Sequence, residues 1–140
     1  MKIPVLHAGN VLLTSLQDDL TDRDLQDMQA GVLEEIGRSA AVGLVMDVSA
    51  LETVDSYIVR ILSETAQMAR VLGCEVVVCG IRPAVAVTLV RMDQANSDFE
   101  TALDLEKGLA LMRRLVDEDA IADEGTESDD DSAAPDDETD

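Results

Sequence analysis

The sequence predicts an α/β domain: a small, mostly parallel mixed β-sheet packed with α-helices in the order ββαβαβαβα. Three observations predict it. The stretches Val42–Val48 and Cys74–Cys79 are nearly continuous in apolar residues, the pattern of strands covered on both faces. Between them apolar residues recur at helical spacing, which makes a strand–helix–strand unit. Finally, 46% of the 140 residues are apolar, yet the chain holds one Tyr, one Phe and no Trp. The core must therefore be built of Val, Leu, Ile, Ala and Met, and about 116 residues suffice to bury it without staples.

The elements follow in order. Ile3–His7 and Asn10–Leu16 read as two extended stretches around Gly9-Asn10, which is hairpin turn chemistry. Thr21 with Asp24 resembles a capping box. Leu25, Met28, Val32, Leu33 and Ile36 then keep helical spacing until Gly37, so a first helix is expected over 22–37. After the strand at 42–48, a second helix carries Ile58, Ile61, Leu62, Thr65, Met68, Ala69 and Leu72 on its apolar face and stops at Gly73. Its opposite face shows Ser56, Arg60, Ser63, Gln67 and Arg70. Beyond the strand at 74–79, Pro83 suits the first turn of a third helix with Val85, Leu89 and Met92 as its stripe. A short extended piece around Phe99–Leu103 follows. Asp104 is a candidate N-cap for a last helix carrying Leu105, Leu109, Met112 and Val116.

Charge divides the chain in two. Residues 117–140 hold 13 of the 30 acidic residues and none of the 10 bases, leaving 17 acids against 10 bases and a net charge of −7 on residues 1–116. The expected organisation is a domain over 1–116 and an acidic tail over 117–140, disordered because it has too little apolar surface to offset its ordering entropy. A calcium loop is the sharper reading of such a tail, but the required ligand spacing with a central Gly and terminal Glu is missing.

Several function classes fall on composition. No basic stripe faces phosphates and no aromatic platform stacks bases, which excludes direct nucleic-acid binding. No apolar run approaches the ~18 residues of a membrane span. Met1-Lys2-Ile3-Pro4 opens no signal-peptide core, and the expected location is the cytoplasm. Cys74 and Cys79 lack metal-site spacing and, five apart on a strand, would point to opposite faces as small core residues. His7 is the single histidine, and no nucleophile, metal or phosphate-cradle motif accompanies it. The reading is not an enzyme, with no cofactor and no metal. A small enzyme or nucleotide-binding protein is the reading from another class; nucleotide binding by the purified chain would favour it.

One constellation stands out. Asp47–Tyr57 joins a buried strand to a helix and brings Asp55 and Ser56 to the helix start, at the sheet end where functional loops gather. From spacing alone, Ser56 or Asp55 reads equally as an ordinary N-cap.

These residues resemble a known family. Val54-Asp55-Ser56-Tyr57-Ile58, the segment Gly80-Ile81-Arg82-Pro83-Ala84-Val85-Ala86-Val87-Thr88-Leu89, and Glu100–Glu106 look like the STAS domain of anti-sigma-factor antagonists. Within it they are most similar to the RsbS type, the single-domain scaffold of the stressosome. The likeness covers about 1–116; the acidic tail is not part of the family pattern. It implies a STAS-like fold and a non-enzymatic phospho-switch. Ser56 matches the serine phosphorylated by an RsbT-type serine/threonine kinase, and Thr88 matches a secondary phosphorylation position. The unmodified protein would self-associate into dimers and a large assembly with an RsbR-like STAS paralogue and retain the kinase. Asp55, Ser56, Tyr57, Arg60 and Arg82 are the expected partner-binding residues. The alternative within the family is a freestanding antagonist that binds an anti-sigma kinase directly, separable by particle size.

Overall fold

The computed structural model describes residues 3–92 and 99–132, with side chains described to residue 120. The elements are β1 (Val5–Ala8), β2 (Val11–Ser15), α1 (Asp22–Ser39), β3 (Gly43–Asp47), α2 (Ser56–Val71), β4 (Glu75–Cys79), α3 (Pro83–Arg91), β5 (Glu100–Ala102) and α4 (Leu105–Ser132), the order the sequence predicts.

The five strands form one sheet in chain order, β1-β2-β3-β4-β5. β1 pairs antiparallel with β2 across a two-residue turn, Ala8 opposite Val11. Gly9 carries the positive φ of 65° that this turn requires. The β2–β3, β3–β4 and β4–β5 pairs are parallel, and each is joined through a helix, as parallel neighbours must be.

Alternation along the strands sends side chains to two cores. Leu12, Leu44, Met46, Val76 and Val78 face α1, α2 and α3 through Leu25, Met28, Val32, Val59, Leu62, Val85 and Leu89. Val11, Val45, Val77 and Cys79 face α4 and Met112. The two free thiols Cys74 and Cys79 divide between these cores as expected. Burial raises both, Cys79 to about 11 with the charges of Asp47 and Asp104 adding. Glycine lets α4 lie close to the sheet. A Cβ on Gly43 would stand 2.4 Å from the Met112 sulfur, and one on Gly108 3.1 Å from the Cys79 Cβ.

Helix ends follow local chemistry. Thr21 and Asp24 form the full capping box of α1. α2 ends before Gly73, at φ 96°, the usual residue beyond a helix C-terminus. Asp104 Oδ1 accepts the Lys107 N–H at 2.9 Å at the start of α4.

Three details depart from the sequence reading. α1 runs past Gly37 to Ser39 and ends on left-handed Ala40, whose N–H donates to the Ile36 carbonyl; a glycine weakens a helix by only ~1 kcal/mol and does not oblige it to stop. Ser63 is buried, and Met68 and Leu72 are exposed. α2 packs against both α1 and the sheet, so its buried stripe is centred on Val59, Leu62, Ser63, Ala66 and Ala69, and the small Ser63 fits where a larger polar residue would not. Finally, helical backbone continues beyond Val116 to Ser132, where disorder was expected. Extending an existing helix through Asp, Glu and Ala needs no new nucleation, so an acidic composition does not exclude helical backbone. Residues 133–140 of the expected tail lie outside the described residues.

Candidate functional site

The parallel strands β2 to β5 end at Ser15, Asp47, Cys79 and Ala102, so their carboxyl ends share one edge of the sheet. The loops that leave this edge run into the N-termini of α1, α2, α3 and α4. The segment Asp47–Tyr57 is one of these loops.

Its geometry begins at the end of β3. The Ser49 N–H donates to Asp47 Oδ1 at 3.0 Å, the Val48 N–H to the Cys79 carbonyl at 3.0 Å and the Leu51 N–H to the Val48 carbonyl at 3.0 Å. Leu51 is buried and anchors the loop. Asp55 then caps α2, its Oδ1 accepting the Ile58 N–H at 2.9 Å. This settles which of the two candidates is the N-cap. Asp55 does the capping, and Ser56 is the first helical residue. Ser56 is exposed, and no partner for its hydroxyl occurs among the described residues.

Tyr57 and Arg60 continue the same surface. Gln26 Nε2 of α1 donates to the Tyr57 hydroxyl at 2.8 Å, and the Arg60 guanidinium carbon lies 5.8 Å from the Tyr57 ring centroid, within cation–π range. Arg82 precedes α3 at the same edge, but its Nε donates to the Ser49 carbonyl at 2.7 Å. It braces the β3–α2 loop. Thr88 lies further along α3, half-buried, and its hydroxyl donates back to the Ala84 carbonyl at 3.2 Å. Thus Asp55, Ser56, Tyr57 and Arg60 come together on the first turns of α2, Arg82 supports them through Ser49, and Thr88 stands apart.

Sequence reasoning missed three residues. Gln26 holds Tyr57 from another helix and gave no local signal. Ser49 receives Arg82. Gly80, at φ 78°, lies so close to Ser49 that a Cβ there would fall 2.7 Å from the Ser49 Cβ; its place directly before Ile81-Arg82-Pro83 was the available clue.

Also at this edge, a cleft of about 420 Å³ is lined by Ser15, Leu16, Gln17, Asp18, Asp47, Ser49 and Ala50. Its charges are carboxylates, which oppose a nucleotide's phosphates. Among the described residues no group of three or more His, Cys, Asp or Glu side chains could hold a metal ion, and no helix is long and apolar enough to cross a membrane. His7 pairs with Glu35 of α1, which also takes Arg38 at 2.7 Å. The histidine ties the edge strand to α1.

The fold and this edge define a class: a small α/β module that presents an exposed serine at a helix start beside the polar side chains of Asp55, Tyr57 and Arg60. The chain belongs to the STAS domain family, whose model matches residues 2–107. In structure it is similar to a serine-to-glutamate variant of RsbS from Moorella thermoacetica, at 36% identity and a TM-score of 0.75, covering 81% of this chain and 97% of that one. It is also similar to a chain in the structure of the stressosome, described as a signal integration and transduction hub, at 37% identity and a TM-score of 0.73, covering 81% of this chain and 98% of that one. Among curated proteins of Bacillus subtilis it matches the RsbT co-antagonist proteins RsbRD, 30% identical over 79 residues, and RsbRA, 24% identical over 122 residues. These alignments take in 56% and 86% of this chain but only 28% and 43% of those proteins, so the chain spans less than half the length of the curated relatives it matches.

Proposed function

We propose that this chain is a non-enzymatic phospho-switch scaffold of a bacterial stressosome. It sequesters an RsbT-type serine/threonine kinase, releases it when Ser56 is phosphorylated, and so regulates a stress-response sigma-factor pathway from the cytoplasm. The observation that carries the proposal is the division of labour at the start of α2: Asp55 supplies the cap, leaving the Ser56 hydroxyl exposed for a kinase. Support comes from the likeness to RsbS and the RsbT co-antagonists. The glutamate of the matched RsbS variant carries the kind of charge that a phosphate would bring. Assembly with an RsbR-like paralogue, and the partner-facing role of Asp55, Tyr57, Arg60 and Arg82, belong to the same proposal. Thr88 is the secondary site, less available because its hydroxyl is engaged.

The physics favours a switch at an interface. Phosphate on Ser56 adds about −1.5 to −2 charges. The helix N-terminus favours that anion by ~0.3–1 kcal/mol, and Asp55 opposes it by about 1 kcal/mol per charge pair in water-like surroundings. The domain's own stability changes little. Against a bound partner the added charge must be desolvated, and a loss of ~2–4 kcal/mol weakens binding about thirty- to nine-hundred-fold.

The test is phosphorylation by the cognate kinase followed by peptide mass spectrometry. The main phosphate is expected on Ser56. Ser56→Ala retains the kinase permanently, and Ser56→Asp releases it in part. A main phosphate elsewhere overturns the assignment, and a small heterodimer in place of a large assembly favours the freestanding antagonist.

A further inference from the structure

The cation nearest in sequence to Ser56 on its own helix is Arg60, one turn along and also exposed. Residues at i and i+4 of a helix are neighbours on its surface, and an anion at i with a cation at i+4 is the favourable order. Arg60 has no carboxylate ion pair among the described residues; its contact is the face of Tyr57. That contact is weak at an exposed site, whereas a phosphate offers Arg charge-assisted, bidentate hydrogen bonds. Of the other basic groups at this edge, Arg82 donates to the Ser49 carbonyl and Lys107 pairs with Asp104, while Arg23 lies on the first turn of α1 and not on the helix that carries Ser56.

We propose that Arg60 is the moving part of the switch: phosphate on Ser56 captures its guanidinium and withdraws it from the Tyr57 ring. Phosphorylation then changes the surface twice. A phosphate–arginine pair forms on the first turn of α2, and the Tyr57 face, still held at its hydroxyl by Gln26, loses its cationic cover. A partner that recognises the unmodified chain meets the arginine over the ring; in the phosphorylated chain it meets a bare ring and an anion. The proposal deepens the phospho-switch reading and rests on Ser56 being the modified residue.

The test installs phosphoserine at position 56 of the full chain during translation, so that no kinase is needed. Phosphorus NMR follows the second ionisation of the phosphate in this protein and in its Arg60→Gln and Arg60→Lys variants. A neighbouring cation favours the dianion, so the phosphate pKa is expected to lie about 0.4 lower with Arg60 than with Gln, the scale of an exposed i,i+4 ion pair. Lys should recover part of the difference. Asp55 and the helix N-terminus act equally in all three proteins. Tyr57 is the sole tyrosine, so its ring protons give an unambiguous second readout. They should shift on phosphorylation when Arg60 is present and stay still in Arg60→Gln. Equal phosphate pKa values with Arg and Gln, or a Tyr57 ring indifferent to the phosphate, overturn the proposal. Neither readout involves the kinase, so failure to bind kinase would sink the scaffold reading and leave this result standing.

Discussion

Replacing Gly80 with alanine puts a methyl group into the tightest point of the site's support. The residue sits at φ 78°, where a left-handed backbone costs an L-residue about 1–2 kcal/mol. The new Cβ would lie 2.7 Å from the Ser49 Cβ and 3.0 Å from its Cα and N. Those atoms have little freedom to retreat. The Ser49 N–H is bound to Asp47 and its carbonyl to Arg82, and the flanking Val48 and Gly80 N–H groups are bound to Cys79 and Ala102. Overpacking of that kind costs about 1–3 kcal/mol, so the two effects together cost about 2–5 kcal/mol. Urea unfolding followed by circular dichroism measures it, and the thermal midpoint should fall by roughly 8–20 °C. Gly37→Ala is the paired control. It is helical, with open space around it, and should gain about 0.5–1 kcal/mol. The reasoning is refuted if Gly80→Ala stays within about 1 kcal/mol of the unaltered chain, or if Gly37→Ala loses as much as Gly80→Ala.

Other outcomes follow from the same geometry. Phosphate on Ser56 should move the thermal midpoint by only a few degrees, since dipole and Asp55 nearly cancel; a drop of ten degrees or more would mean that the switch unfolds the domain. Asp55→Ala removes the α2 cap and should cost about 1 kcal/mol in urea unfolding, and a neutral result would show that the cap contributes nothing. The Glu75 carboxyl is raised from its ordinary value by its hydrogen bond with the Asp119 carboxyl, then by burial and the Asp119 charge, with Arg70 opposing. Its ionisation therefore costs stability above the folded pKa and nothing below the ordinary value, so Glu75→Gln should stabilise at pH 7 with the gain vanishing below pH ~4; a gain independent of pH would contradict this. A chain ending at Val116 should retain kinase and assemble as the full chain does at low and high salt, and a tenfold salt-dependent change in kinase affinity would make the acidic segment a binding element.

How legible the molecule was in its sequence depended on the range of each interaction. Strands β3 and β4 and the capping box at Thr21 declare themselves within a few residues, because burial on both faces and cap hydrogen bonds are local demands. Ser56 was legible as a candidate, but whether it or Asp55 served as the cap was not, since both residue types cap well and only the backbone geometry decides. The Arg82–Ser49 brace joins residues 33 apart and Gln26–Tyr57 joins residues 31 apart, separations that no periodicity records. The stripe of α2 was misjudged at Ser63, because a single sequence does not reveal that a helix is flanked on two sides.

Strand order that repeats chain order has a consequence for synthesis on the ribosome. Each strand pairs with the one made just before it, so the sheet can grow edge by edge as the chain emerges, and α1, α2 and α3 cover one side during that growth. The other side waits. Val11, Val45, Val77 and Cys79 stay bare until Met112 arrives on α4, leaving the nascent chain a sticky apolar sheet face until that helix is made. A ribosome stalled before α4 should therefore hold a chain that recruits chaperones, and release of a few more turns of helix should end that recruitment.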